Sequence, residues 1–157
     1  MTGTNAVLRP EVDASWAQNA TLTFNHTLTG ADRVYEQITA VPALAIPRAG
    51  VWEVDYNARC AVGLPAGGGA QYVTTALYKN GTAIVGSEAL IVGVTGSGNG
   101  AQATGGLSFL HTFAVGDLVT LWSYRIGQTG SAAVISNPDG RTRISGHWLG
   151  PTGDTPA

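Results

Sequence analysis

Few side chains in this 157-residue chain could do chemistry. Catalysis and metal binding need acids, bases, nucleophiles or ligands that converge. The three histidines are His26, His111 and His147, and none has a cysteine, aspartate or glutamate at metal-ligand spacing. His26 and His111 sit in strand-like runs among threonines, which suits structural histidines. The single cysteine, Cys60, cannot close an intrachain disulfide. It alternates with Val54 and Tyr56 on an apolar face, so a buried, inert thiol is expected. No Gly-x-Ser-x-Gly elbow is present. Thr95-Gly96-Ser97-Gly98-Asn99-Gly100 is glycine-rich, but no lysine follows and no helix opens after it, so it is not a phosphate cradle. Asn19, Asn25 and Asn80 match the glycosylation pattern, a coincidence expected of a threonine-rich chain. The residues imply no enzyme, no metal and no cofactor.

The elements around these residues read as strands throughout. Glycine, proline and asparagine recur every ten or so residues, with valine, threonine, isoleucine and aromatics between them. Residues 51–62 are the clearest strand. Trp52, Val54, Tyr56, Ala58, Cys60 and Val62 alternate with Glu53, Asp55, Asn57 and Arg59. This period of two predicts one buried and one wet face, where a helix would scatter the charges. Strands are also expected over 21–28, 71–79, 82–94, 107–115, 118–126, 131–136 and 141–149. Residues 36–46, interrupted by Pro42 and followed by Pro47, read as an edge segment. Asn80-Gly81 is a strong hairpin signal. Residues 63–70 and 95–106 read as glycine-rich loops.

Two strands carry apolar residues on both faces. Residues 118–126 place Val119 and Leu121 on one side and Leu118, Trp122, Tyr124 and Ile126 on the other. Residues 141–149 place Ile144 and Trp148 on one side and Leu149 on the other. A sheet does not spend tryptophan and tyrosine on water, so a loop or another subunit must cover them.

Composition narrows the class. Charged residues make up 11% and hydrophobic residues 44%, with a net charge of −2. That is a folded domain without the basic field a nucleic acid would need. No run approaches the ~20 apolar residues of a membrane span. Residues 1–9 show no basic segment followed by an apolar one, so assembly in a cytoplasm is expected. The predicted organisation is an N-terminal arm over 1–17, one domain over 18–150 and a C-terminal tail over 151–157.

Four stretches carry a resemblance. Ile46-Pro47-Arg48-Ala49-Gly50-Val51-Trp52 leads into the long strand, and Leu77-Tyr78-Lys79-Asn80-Gly81 forms a hairpin. Phe113-Ala114-Val115-Gly116-Asp117-Leu118-Val119 holds a Gly-Asp turn, and Ile144-Ser145-Gly146-His147-Trp148-Leu149 closes the domain. In this order they resemble the globular head of complement component q, whose jelly roll is shared with tumour-necrosis-factor ligands. The resemblance spans roughly residues 20–150 and implies an all-β, two-sheet jelly-roll sandwich of about ten strands, assembling as a homotrimer. Carried over by position, it places Ile144 and Trp148 toward the threefold axis, with Trp122 and Tyr124 beside them. His147 departs from the pattern, which has an apolar residue there.

The expected function is a non-enzymatic structural virion protein, a trimeric capsid decoration or head-fibre protein of a bacteriophage. Its expected partners are its own copies and major capsid or tail proteins, with neither nucleic acid nor membrane. The alternative is a receptor- or glycan-binding knob of a phage tail or adhesin, with residues 63–70 and 95–106 at its tip and Tyr72 available to stack on a sugar.

Overall fold

The computed structural model describes residues 15–151. The predicted tail and residues 1–14 of the predicted arm therefore lie outside the described residues, apart from Pro151. The described chain contains twelve strands and no helix. They are β1 (Trp16–Gln18), β2 (Phe24–Thr27), β3 (Glu36–Gln37), β4 (Leu44–Ala45), β5 (Gly50–Gly63), β6 (Ala70–Lys79), β7 (Thr82–Ala83), β8 (Ala89–Thr95), β9 (Gly100–Phe113), β10 (Leu118–Ile126), β11 (Ser131–Ser136) and β12 (Arg143–Gly150).

The strands form two antiparallel sheets in a sandwich of jelly-roll type. In the first sheet, β5 pairs along its whole length with β9. On its other side it pairs with β12 over its first half and β11 over its second. β1 extends the sheet beyond β12, and β2 extends it beyond β11. In the second sheet, β10 and β6 are central. β3 and β4 flank β10, while β7 and β8 flank β6. Pairing begins at Trp16, so the sandwich takes in the last residues of the predicted arm.

The alternation in β5 is realised in full. Trp52, Val54, Tyr56, Ala58, Cys60 and Val62 are buried between the sheets, and Glu53, Asp55, Asn57 and Arg59 face outward. Opposite them lie Val73 and Leu77 of β6 and Val119 and Leu121 of β10. Each large apolar side chain removed from water here contributes roughly 1.5–3 kcal/mol. The Tyr56 hydroxyl crosses the core and donates to the Ser87 carbonyl (2.8 Å), with the Thr75 carbonyl 3.2 Å away. Burial pushes its pKa up to about 12.

Two turns follow the sequence closely. Asn80 (φ 50°) and Gly81 (φ 82°) both occupy the left-handed region, as a tight hairpin between β6 and β7 requires. The Pro42 and Pro47 segment is an edge, with its two short strands β3 and β4 both paired to β10. The glycine-rich stretch over 95–106 is a correction. Only residues 96–99 form a loop, and β9 starts at Gly100. Ala101 and Ala103 alternate with Gln102 and Thr104, a strand pattern built from side chains too small to register as apolar. Gly106 is required there, because a Cβ would collide with the carbonyl oxygen of Tyr56.

Candidate functional site

The four side chains expected at a threefold axis do not share a face. Ile144 is fully buried in the inter-sheet core. Trp148 points to the same inner side at the sandwich rim. The guanidinium carbon of Arg48 lies 3.5 Å from its ring centroid, and its Nε1 donates to the Ala49 carbonyl (3.0 Å). Trp122 and Tyr124 belong to β10, hence to the other sheet, and face outward there. Within one chain the four therefore lie on different faces. Side-chain parity along β12 sends Ile144 and Trp148 inward, and β10 lies across the core from β12.

Trp122 and Tyr124 belong to an aromatic layer on the outer face of the second sheet. Trp122 stacks on Tyr78 (centroids 4.4 Å apart, 20° between planes). Tyr35, just before β3, stands edge-on to both Tyr78 (5.5 Å) and Tyr124 (4.7 Å). The small outward residues Thr74 and Ala76 are buried beneath this layer. Glu88 accepts hydrogen bonds from the hydroxyls of Tyr35 (2.5 Å) and Tyr124 (3.4 Å). Burial and this carboxylate together raise the Tyr35 pKa far above its ordinary value. These rings pack on one another and stay partly exposed, so the same chain supplies part of the cover demanded by the sequence.

Tyr72 lies on this same outer face, against Gly93, and not on a loop tip. The two glycine-rich loops do meet at one end of the sandwich. Leu64 N donates to Asn99 O (2.7 Å), Gly98 N to Pro65 O (3.3 Å) and Gly96 N to Gly69 O (3.3 Å).

The histidines are dispersed. His26 Nε2 lies 3.0 Å from Glu36 Oε1, joining β2 to β3 across the sandwich, while Glu36 Oε2 accepts from Gly30 N (2.6 Å). His111 packs edge-on against Phe113, and burial and Lys79 lower its pKa. His147 is exposed on the outer face of the first sheet, opposite Glu53. Cys60 is buried and its thiol is pushed up to about 12. Among the described residues no three histidines, cysteines or carboxylates could hold a metal ion together.

The outer face of the first sheet is a second exposed surface. Its middle is a hydrogen-bonded polar ladder. Ser108 donates to Glu53 (3.2 Å), Ser145 to Asp55 (2.8 Å), and Arg59 to Gln102 (2.8 Å) and Thr104 (3.3 Å). Around the ladder stand Trp16, Leu110 and Leu149, each more than half exposed. Beside it runs β9, fourteen residues without a lysine, arginine, aspartate, glutamate or proline. Among the described residues β9 pairs only with β5; β8 packs beside it without ladder pairing, with Ile91 next to Gly105. Sequence reasoning missed Trp16 and Leu110 and the length of β9. The only available signal was the small-polar alternation from Ala101 to Thr104.

No family model matches the chain, and no curated protein matches it in sequence. Among solved structures it is similar to the structure of Eiger TNF from S. frugiperda, at 8% identity and a TM-score of 0.49, with 90% of this chain and 96% of that chain covered.

Proposed function

We propose that this chain is a non-enzymatic structural protein, a homotrimeric jelly-roll knob that decorates a bacteriophage capsid or forms its head fibre. The edge of β9, which has no ladder partner, carries this reading. Natural sheets blunt exposed edges with charge, proline or shortness, and β9 uses none of these over fourteen residues. A neighbouring copy is the simplest cover, and a closed threefold ring covers three such edges together. Leu110, Leu149 and Trp16 supply apolar contacts beside the edge. The virion assignment draws on the shape of such a knob, which suits a threefold lattice point, and on the scattered histidines and carboxylates. Its partners would be major capsid or tail proteins.

Light scattering after size exclusion tests the assembly. A mass of about 48 kDa, three times the 16.1 kDa chain, is expected. A single-chain mass overturns the trimer. Mass spectrometry of purified particles of the source virus tests the location, and absence of the protein from them overturns it.

One observation favours a second reading, a receptor- or glycan-binding knob. Residues 64–69 and 96–99 bond to each other and build one continuous tip. Saturable glycan-array hits that disappear when residues 96–99 are replaced by a short turn would establish it over the first.

A further inference from the structure

We propose that Asn99 is a site of spontaneous deamidation, placing a negative charge on the tip of the sandwich, and that the fold withholds the same reaction from Asn80. The chain has two Asn-Gly pairs, Asn80-Gly81 and Asn99-Gly100. In such a pair the glycine main-chain nitrogen is a nucleophile beside the asparagine side-chain amide, and no side chain on the glycine obstructs its approach. The nitrogen loses its proton and bonds to the asparagine Cγ. The Cγ–Nδ2 bond breaks, and Nδ2 leaves as ammonia. Water then opens the cyclic imide at either carbonyl, giving aspartate or isoaspartate.

Both asparagines are exposed, so access of water does not separate them. Their bonds do. Asn80 Nδ2 donates to Asp117 Oδ1 (2.8 Å), and Asn80 Oδ1 accepts from Leu118 N (2.9 Å). The main-chain N of Asn80 donates to Leu118 O (2.9 Å), and Asp117 is fixed in turn by Ala114 N (2.9 Å). The Asn80 Cγ cannot swing onto Gly81 N until both carboxamide bonds are given up. The product would also set a new carboxylate against that of Asp117, a like-charge contact that the fold opposes. Asn99 is held through its main chain, whose carbonyl accepts from Leu64 N (2.7 Å). Among the described residues nothing hydrogen-bonds its carboxamide. Its nucleophile, Gly100 N, belongs to the first residue of β9, where the ladder ends and opens most easily.

The position gives the reaction a consequence. Residues 64–70 and 96–99, which bond to each other at this end, hold no charged side chain. Conversion of Asn99 turns a neutral tip into an acidic one, in an irreversible step that needs only water.

The test is incubation of the folded full chain in mildly alkaline buffer, with peptide mass spectrometry reading amide against acid at both pairs. A parallel sample is held in guanidinium chloride. In the folded chain Asn99 should convert about tenfold or more faster than Asn80, where two hydrogen bonds, one of them to a carboxylate, must open first. In denaturant the two rates should converge. An unconverted Asn99, or equal rates in the folded chain, overturns the proposal. The same rate ratio in denaturant also overturns it, because neighbouring sequence and not the fold would then set the difference. These arms are read on the unmodified chain. Asp117→Ala should speed conversion of Asn80 and leave Asn99 unchanged, and no acceleration in a variant that still melts cooperatively overturns the protection assigned to Asp117. The outcome is separate from the mass and particle measurements that test the proposed trimer.

Discussion

Asp117 joins two hairpins with one carboxylate. It closes its own turn by accepting from Ala114 N, and it reaches the neighbouring turn through Asn80, whose Oδ1 accepts from Leu118 N. These bonds hold its carboxyl below the ordinary value of 3.8. A depressed folded pKa contributes stability that is complete above the unfolded value and lost as pH falls through the folded one. Asp117→Ala should therefore cost about 1 kcal/mol at neutral pH, after allowing for solvent screening. The gap to the parent should close below pH 3.8, as read by urea unfolding across a pH series. Cys60 gives a second check at this scale. With its thiol buried and pushed up to about 12, it should resist a thiol reagent in the folded chain and react fully in denaturant.

At the scale of elements, two devices hold strands in place without adding to the main core. The first is the layer over β10 and β6. Tyr35 reaches across from the β3 side, and Glu88 receives it from the segment before β8, so the two margins of the sheet are tied over its outer face. Tyr35→Phe keeps the ring packing and loses the bond to Glu88, and should cost about 1 kcal/mol in thermal or urea unfolding. Tyr35→Ala should cost more, because Thr74 and Ala76 would be uncovered. The second device is the approach of β9 to β5 at Gly106. A side chain there would strike the Tyr56 carbonyl, so Gly106→Val should lower the melting temperature by several degrees or prevent folding.

The whole molecule presents two unlike surfaces. One sheet carries its own tyrosines and Trp122 on its outer face, and the other carries Leu110, Leu149 and the uncharged strand β9, whose outer edge has no ladder partner. If the second surface joins the copies, Leu110→Arg should shift the solution mass from three chains to one with little loss of monomer stability, since Leu110 points away from the core. Trp122→Ala should leave the mass at three chains. The reverse pattern would move the interface to the aromatic sheet, closer to the expectation drawn from the sequence.

Much of this architecture can be read from residue order. The alternation from Val51 to Val62 determines which side of β5 is buried, because a pleated strand sends successive side chains to opposite faces. Asn80-Gly81 determines the hairpin, because two left-handed residues in succession admit little else. Parity also separates Val119 and Leu121 from Trp122 and Tyr124. What parity cannot supply is which sheet a strand joins. Ile144 and Trp122 both look like candidates for one interface, yet β12 pairs with β5 and β10 with β6, on opposite sides of the core. Nor can it show that Tyr35, more than eighty residues before Trp122 and Tyr124, joins the layer they form. The extent of β9 was hidden for a related reason. Alanine and glycine carry little hydrophobic signal, and only pairing with all fourteen residues of β5 makes that stretch a strand. Local chemistry thus determined the elements and their faces, and long-range pairing decided which faces became core, cover or open surface.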